Sequence, residues 1–124
     1  MYKDNTIDLI WDNSSPIDSS TMGFLSKAGF RPYTIALGDI PTHLSAQEAG
    51  PYVVCVQGRD SSSLDFIQRL RAQYGNAIYV VLRVEPNEVD LAIEAVKVGV
   101  DDVISAVIDF QNKWDKVAEL ARKS

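Results

Sequence analysis

The stretch YVVCVQ at Tyr52–Gln57 decides the fold, because its first five residues are all hydrophobic. A strand that shows no alternation between apolar and polar residues is buried on both faces, which is typical of a parallel sheet covered by helices. The stretch IYVVL at Ile78–Leu82 has the same character. Three further strands are predicted at Ile7–Trp11, at Tyr33–Leu37 and around Val103 and Ile104.

Helical spacing of apolar residues occupies the segments between these strands. Helices are predicted over Ile17–Ala28, Pro41–Ala49 and Leu64–Tyr74, from Pro86 to a cap at Gly99, and after an N-cap at Asp109. Strands joined by helical crossovers lie parallel in one sheet. The sequence therefore predicts a three-layer α/β/α fold with five parallel strands in the flavodoxin-like order 2-1-3-4-5, and ligand chemistry is expected at the carboxyl ends of the strands.

Local signals set the expected ends and faces of the helices. Pro16 suits the first turn of the first helix, with a Ser or Asn before it as N-cap, and Gly29 suits the C-terminal cap. The three serines at 61–63 are expected to cap the third helix. One wide apolar stripe on the fourth helix is expected to face the sheet, and it comprises Val89, Leu91, Ala92, Ala95, Val96 and Val98.

Composition bounds the class of protein. The 124 residues suit one domain, and a net charge of −5, from 12 Lys and Arg against 17 Asp and Glu, argues against nucleic acid as a direct partner. The single cysteine, Cys55, excludes an intramolecular disulfide and is compatible with the cytosol. No apolar run approaches the ~20 residues of a membrane span, and no signal-peptide core is present. We expect a cytoplasmic protein without a membrane partner.

The stretch LAIEAVKVGVDDV at Leu91–Val103 is similar to the signature A-hydrophobic-E-A-hydrophobic-K-x-G-A-x-D-hydrophobic of bacterial response-regulator receiver domains. Residues Leu64–Arg71 resemble the third helix of that family, and Ile10–Asn13 with Ala28–Phe30 resemble its opening. The likeness covers nearly the whole chain and is weakest over Gly38–Gly50. It implies a two-component, phosphorelay signalling role, with residues 1–124 as a single receiver-like domain forming the N-terminal part of a larger regulator.

The resemblance also implies a set of chemical positions. In receivers, an aspartate at the end of the third strand accepts the phosphoryl group, and two carboxylates after the first strand bind Mg²⁺. A hydroxyl follows the fourth strand, a switch aromatic lies on the fifth strand, and a lysine follows the fifth strand. In this sequence the acidic pair becomes Asp12 and Asn13, the nucleophile becomes Gln57, the hydroxyl becomes Arg83, the aromatic becomes Val103, and the lysine becomes Ala106 followed by Val107.

These replacements are interpreted as a degenerate pseudo-receiver, which keeps the fold and has lost the phosphorylation chemistry. The residues alone agree, since no carboxylate directly follows the predicted third or fourth strand and Asp12 lacks partners for a tight Mg²⁺ site. We therefore expect a non-enzymatic, phosphorylation-independent protein–protein interaction module that has no cofactor. One hypothesis places Arg83 against Asp12 and Gln57, where it would hold a single conformation.

Two alternatives remain open at this stage. Asp60, three residues after Gln57, is a candidate displaced phosphoacceptor working with Mg²⁺ held by Asp12, although a solvated turn acid explains it equally well. Alternatively, Arg83 and Arg59 hold a small anion at the carboxyl edge of the sheet. Three other residues carry structural expectations: Cys55 is a buried, inert thiol, His43 lies at or near the surface, and Trp11 borders the pocket.

The expected partner surface combines the fourth helix, the fifth strand and the fifth helix. Its charged residues carry both signs, which suits a self-complementary homodimer or an output domain. These residues are Glu88, Asp90, Glu94, Lys97, Lys113 and Lys116.

Overall fold

A computed structural model describes residues 6–14, 17–46, 52–85, 87–105 and 110–123. Five parallel strands form one sheet in the order β2-β1-β3-β4-β5, which confirms the predicted topology. The strands are β1 Ile7–Asp12, β2 Phe30–Ile35, β3 Tyr52–Gln57, β4 Tyr79–Val84 and β5 Asp102–Ser105. The helices are α1 Ser19–Ala28, α2 Ile40–Ala46, α3 Ser61–Tyr74, α4 Val89–Val98 and α5 Phe110–Lys123, with 3-10 turns at Leu37–Asp39 and Gly75–Ala77.

The sheet is covered on both faces by separate apolar clusters. Val53 and Cys55 on β3 belong to the cluster under α1 and α5, which includes Trp114. Val54 and Val56 belong to the cluster under α2, α3 and α4. Burial on both faces explains the uninterrupted apolar run of β3. None of the helices in the described ranges has the length and apolar character needed to cross a membrane.

The N-caps of the first and third helices are aspartates rather than the predicted Ser or Asn residues. Asp18 is the N-cap of α1, where its carboxylate accepts from the Thr21 N–H at 2.7 Å, a hydrogen bond that lowers the pKa of Asp18. The predicted start at Ile17 is therefore wrong, and Pro16 lies outside the described residues. Asp60 is the N-cap of α3, so the serines at 61–63 lie inside its first turn. Gly29 ends α1 with φ 95°, as predicted.

Strand β2 begins three residues earlier than predicted and contains Pro32. Residues Phe30–Ile35 pair in register with β1, whereas Leu37 starts a 3-10 turn. Because β2 is an edge strand, a residue without an N–H is tolerated there. Arg31 lies opposite Asp8 and forms an ion pair with it at 2.9 Å, which supports this register.

One arginine connects the ends of two helices to the sheet. The Arg71 guanidinium on α3 donates to the carbonyl oxygens of Gly75, Ile78 and Gly99, and it pairs with the Asp101 carboxylate at 2.6 Å. Asp101 Oδ2 also accepts from the N–H of Val80 on β4 at 2.8 Å. The C-terminal ends of α3 and α4 are therefore fixed to each other and to β4.

The outer half of the predicted apolar stripe on α4 faces outward. Ala95 is fully buried, whereas Val89, Ile93 and Val96 are 60%, 51% and 65% exposed. These three residues are spaced i, i+4 and i+7, so they form a continuous row on the helix, which we call the α4 ridge. The prediction that Val89 and Val96 face the sheet is wrong, because the apolar arc of α4 is wider than the part of the helix that packs on α3, β4 and β5.

Candidate functional site

The candidate site lies at the carboxyl edge of the sheet, where β1, β3 and β4 end. Gln57 is the last residue of β3 and pairs in register with Arg83 on β4. Asp12 ends β1, and Asn13 follows it in an exposed turn. The parallel topology thus brings three of the five predicted pocket residues, Asp12, Gln57 and Arg83, to one edge, and Asn13 directly follows Asp12. The remaining predicted position of the pocket, Ala106, lies outside the described residues.

Arg83 is held by an amide and by an aromatic ring. Its Nη2 donates to Gln57 Oε1, and its Cζ lies 4.0 Å from the ring centroid of the buried Trp11. Gln57 Nε2 in turn donates to the carbonyl oxygens of Gly58 at 3.3 Å and Arg83 at 3.4 Å. A guanidinium over an indole face is attracted by the ring quadrupole, so the stack adds to the hydrogen bond. The Arg83 guanidinium is therefore already bound by side chains of the protein itself.

The predicted contact between Arg83 and Asp12 does not form. Asp12 is 2% exposed, its Oδ1 accepts from the N–H of Ser14 at 3.0 Å and its Oδ2 from the N–H of Gln57 at 3.2 Å. Successive strand residues point to opposite faces of the sheet. Since Trp11 lies on the face of Arg83, the Asp12 side chain points to the other face. Asp12 therefore connects the β1 and β3 loops through their backbone amides.

The carboxylates near this edge are dispersed. Among the residues that the structure describes, no three metal-ligating side chains come together. Glu85 directly follows β4, so the expectation that no carboxylate follows the fourth strand is wrong, because β4 continues to Val84 rather than ending at Leu82. Glu85 is exposed, and its N–H donates to Glu88 Oε1 at 2.7 Å.

Asp60 has a capping role in the loop after β3. Its Oδ1 accepts from the Ser62 hydroxyl at 2.6 Å and from the Ser62 N–H at 2.9 Å. These hydrogen bonds stabilise the ionised carboxylate and lower the pKa of Asp60. The neighbouring Arg59 is exposed, and its N–H donates to Ser63 Oγ. The contacts of Asp60 are those of a helix N-cap, and none of them joins it to Asp12.

The other residues with structural expectations lie in ordinary environments. Cys55 is fully buried, and burial raises the pKa of its thiol to about 12, so the thiol is unreactive at neutral pH. His43 is half-buried, with its ring 5.7 Å from that of Tyr33. Val103, at the switch position, is half-buried on β5 against the α2, α3 and α4 cluster.

The expected partner surface contains a feature that the charge pattern did not reveal. Asp90, Glu94, Lys97 and Lys116 are exposed, and Lys97 Nζ lies 3.2 Å from Glu94 Oε2. Glu88 is half-buried and engaged with the backbone of Glu85, while the side chain of Lys113 lies outside the described part. The α4 ridge lies among these charges. Its apolar residues were visible in the sequence, but their exposure was not.

The order β2-β1-β3-β4-β5 with helices on both faces is the fold of response-regulator receiver domains. A response regulator from Thermotoga maritima superposes with a TM-score of 0.77 at 22% identity, over 94% of this chain and 98% of that one. NtrX from Brucella abortus, in complex with ADP, superposes with a TM-score of 0.73 at 20% identity over 95% of this chain. A pilus assembly-related protein from Burkholderia pseudomallei gives 0.69 at 15% identity, over 99% of this chain and 94% of that one.

The chain spans only 27% of the length of that NtrX chain. No protein-family model and no curated protein sequence matches this chain. At these identities the likeness shows the shared fold, and the function has to be argued from the site.

Proposed function

We propose that this chain is a pseudo-receiver, a signal-transduction module that acts through protein–protein contacts without being phosphorylated. The observation that carries the proposal is the side-chain arrangement at the end of β3. There, Gln57 ends β3 and its amide oxygen accepts from Arg83, and the resemblance aligns Gln57 with the nucleophilic aspartate of receivers. A carboxamide is not a nucleophile of the carboxylate type, so the first chemical step of a phosphorelay has no acceptor at this position.

The environment of Gln57 strengthens this argument. Receiver chemistry requires a carboxylate pair that holds Mg²⁺ and a free cation that neutralises the phosphoryl group. Here Asp12 is buried and accepts two backbone N–H groups, and the Arg83 guanidinium stacks on Trp11. None of these contacts depends on a modification of the protein. The domain is therefore expected to present one constant surface, and to have no enzymatic activity or cofactor.

Incubation with acetyl phosphate and Mg²⁺ is expected to leave the intact mass of the protein unchanged. The reason is the missing acceptor at Gln57, and intact-mass spectrometry at neutral pH provides the measurement. An established receiver domain treated in the same tube serves as the positive control. A phosphoryl increment that disappears in Asp60→Asn would instead establish the displaced-acceptor alternative.

Stabilisation by small anions in a thermal-shift assay, lost in Arg83→Gln and Arg59→Gln, would establish the anion-binding alternative. A pseudo-receiver is expected to show neither effect.

The partner surface that we propose consists of α4, β5 and α5, with the α4 ridge at its centre. An antiparallel pair of α4 helices would place Ile93 near the two-fold axis, and it would bring Asp90 near Lys97 of the second copy. This charge distribution suits a homodimer. Three ridge residues cover much less than the ~800 Å² per partner of a standard interface, so β5 and α5 have to contribute. An output domain docked on this surface is the alternative occupant.

The wild-type chain is expected to self-associate with a Kd of about 10–100 µM, given an interface at the small end of the range. Ile93→Lys places a charge at the centre of the ridge and is expected to weaken association at least about tenfold. Sedimentation velocity across a concentration series provides the measurement. The control is Met22→Lys on α1, where another exposed apolar residue, 40% accessible, lies on a different helix. Equal association of all three proteins, or a monomer at ~1 mM, would contradict the dimer.

We propose that this domain is the N-terminal part of a larger cytoplasmic regulator, and that nucleic acid and membranes are not its direct partners. The net charge of −5 supports the exclusion of nucleic acid.

A further inference from the structure

A cavity of about 300 Å³ lies between α3 and the segment that joins β2 to α2. It is half-open and shares no lining residue with the carboxyl-edge site. Its lining residues include Leu37, Gly38, Pro41, Phe66, Arg69 and Leu70. A volume of this size is at the lower end of the range for small-molecule sites, so it suits a fragment-sized ligand.

The inner wall of the cavity is apolar and already in place. Phe66 and Leu70 are 6% and 2% exposed, and Leu37 packs against the same cluster. The Tyr74 hydroxyl on α3 donates to the carbonyl oxygen of Pro41 at 3.0 Å. This hydrogen bond connects α3 to α2 beside the cavity. The apolar body of a ligand could therefore enter without rearrangement of the walls.

The rim carries a cation and an amide. Arg69 and Gln73 are exposed, belong to the cavity lining and lie one turn apart on α3. Within the part of the chain that the structure describes, neither side chain has a hydrogen bond or ion pair. Asp39 and Asp65 are the described acidic residues nearest in sequence to the residues that line the cavity. Neither of them forms an ion pair with Arg69. The Arg69 and Gln73 side chains at the rim therefore offer hydrogen-bond donors, without a partner in the described part of the chain, above an apolar wall.

We propose that this cavity binds a small carboxylate with an apolar body, whose carboxylate accepts from Arg69 and Gln73 while the body contacts Phe66 and Leu70. An arginine fork matches the two oxygens of a carboxylate, which favours an acid over an alcohol or an amine of the same size. This inference goes beyond the proposed interaction function and does not rest on it. It would give the domain a ligand input that is separate from phosphorylation.

The test is a ¹H–¹⁵N NMR titration with 3-phenylpropionate, 3-phenylpropan-1-ol and 3-phenylpropylamine. The acid is expected to bind in the low millimolar range, as fragments of this size do, and to shift the amides of Phe66 and Leu70. The alcohol is expected to bind about tenfold more weakly, because it cannot use the arginine as a charged partner. Arg69→Gln should reduce binding of the acid to the level of the alcohol and leave the alcohol within about twofold.

A matched pair of glycine substitutions tests the location. Gly38 lines the cavity, and an added Cβ there meets no atom within 4 Å, so Gly38→Leu is expected to place its side chain at the mouth of the cavity. Gly23 on α1 has the same open surroundings, and Gly23→Leu is the control. Binding of the acid should fall at least about tenfold in the first variant and be retained in the second. Equal affinities for acid, alcohol and amine, unchanged binding in Gly38→Leu, or no shifts up to ~20 mM ligand would overturn the proposal.

Discussion

Arg71→Ala is expected to lower the free energy of unfolding by about 3 kcal/mol, the largest loss among single substitutions outside the apolar core. The side chain donates to three backbone carbonyl oxygens from separate segments, those of Gly75, Ile78 and Gly99, and it pairs with Asp101. Its removal leaves helix-end carbonyls without a donor and leaves the Asp101 carboxylate without its cation. Urea denaturation followed by circular dichroism measures the change.

Two variants make this prediction specific. Arg71→Lys keeps the charge but loses the planar fork, so it is expected to recover only about 1 kcal/mol. Arg69→Ala removes an exposed arginine two residues away and is expected to change stability by less than ~0.5 kcal/mol. A loss below ~1 kcal/mol for Arg71→Ala would show that the helix ends find other donors.

Gly58→Ala is expected to destabilise the domain by about 2–3 kcal/mol and to disturb the candidate site. A Cβ at this position would lie 2.8 Å from Leu91 Cδ2 and 3.0 Å from the Arg83 carbonyl oxygen. The Gly58 N–H already donates to that oxygen at 2.7 Å, so the loop has little freedom to move away. Because Gln57 donates to the Gly58 carbonyl oxygen, the Gln57–Arg83 pair should shift as well. Thermal unfolding and tryptophan fluorescence provide the two readouts, and the fluorescence includes the signals of Trp114 and of Trp11, on which Arg83 stacks.

Gly23→Ala is the matched control for that substitution. Gly23 lies within α1, and an added Cβ there meets nothing within 4 Å. Alanine in a helix loses less backbone entropy on folding than glycine, so the control is expected to gain about 0.5–1 kcal/mol. Similar effects of both substitutions would contradict the close approach at Gly58.

The central sheet could be predicted because burial on two faces leaves a strong mark in the sequence. Strand β3 was predicted residue for residue from the run at Tyr52–Gln57. The edge strand β2 was misplaced, since it is half-exposed and contains Pro32, and neither feature produces an apolar run. The start of α1 was misplaced for a different reason: Pro16 is a general helix-start signal, whereas the cap formed by Asp18 depends on one hydrogen bond.

The proximity of the candidate residues could be predicted from the sequence, but their contacts could not. The ends of parallel strands meet at one edge, so Asp12, Gln57 and Arg83 were correctly brought together. The choice of Gln57 over Asp12 as the partner of Arg83 follows from strand alternation and from the position of Trp11, which the prediction did not apply. The role of Arg71 was not foreseen, because its acceptors are mostly backbone carbonyl oxygens, which have no signature in the sequence.

The exposure of the α4 ridge illustrates a more general limit. Helical periodicity identifies which residues share a face, but it does not give the width of the surface that neighbouring elements cover. Ala95 and Val96 are both apolar and adjacent, yet the first is fully buried and the second is 65% exposed. Only the packed structure separates core from surface in such a helix.

The Arg71 guanidinium, which donates to carbonyl oxygens at the C-terminal ends of α3 and α4, also couples the movements of the two helices. Turning α3 about its axis would require breaking the bonds of Arg71 to Gly99, or else α4 would have to follow. The cavity wall and the α4 ridge belong to these two helices. A displacement of α3 is therefore expected to shift the α4 ridge as well, because Arg71 hydrogen-bonds the end of α4.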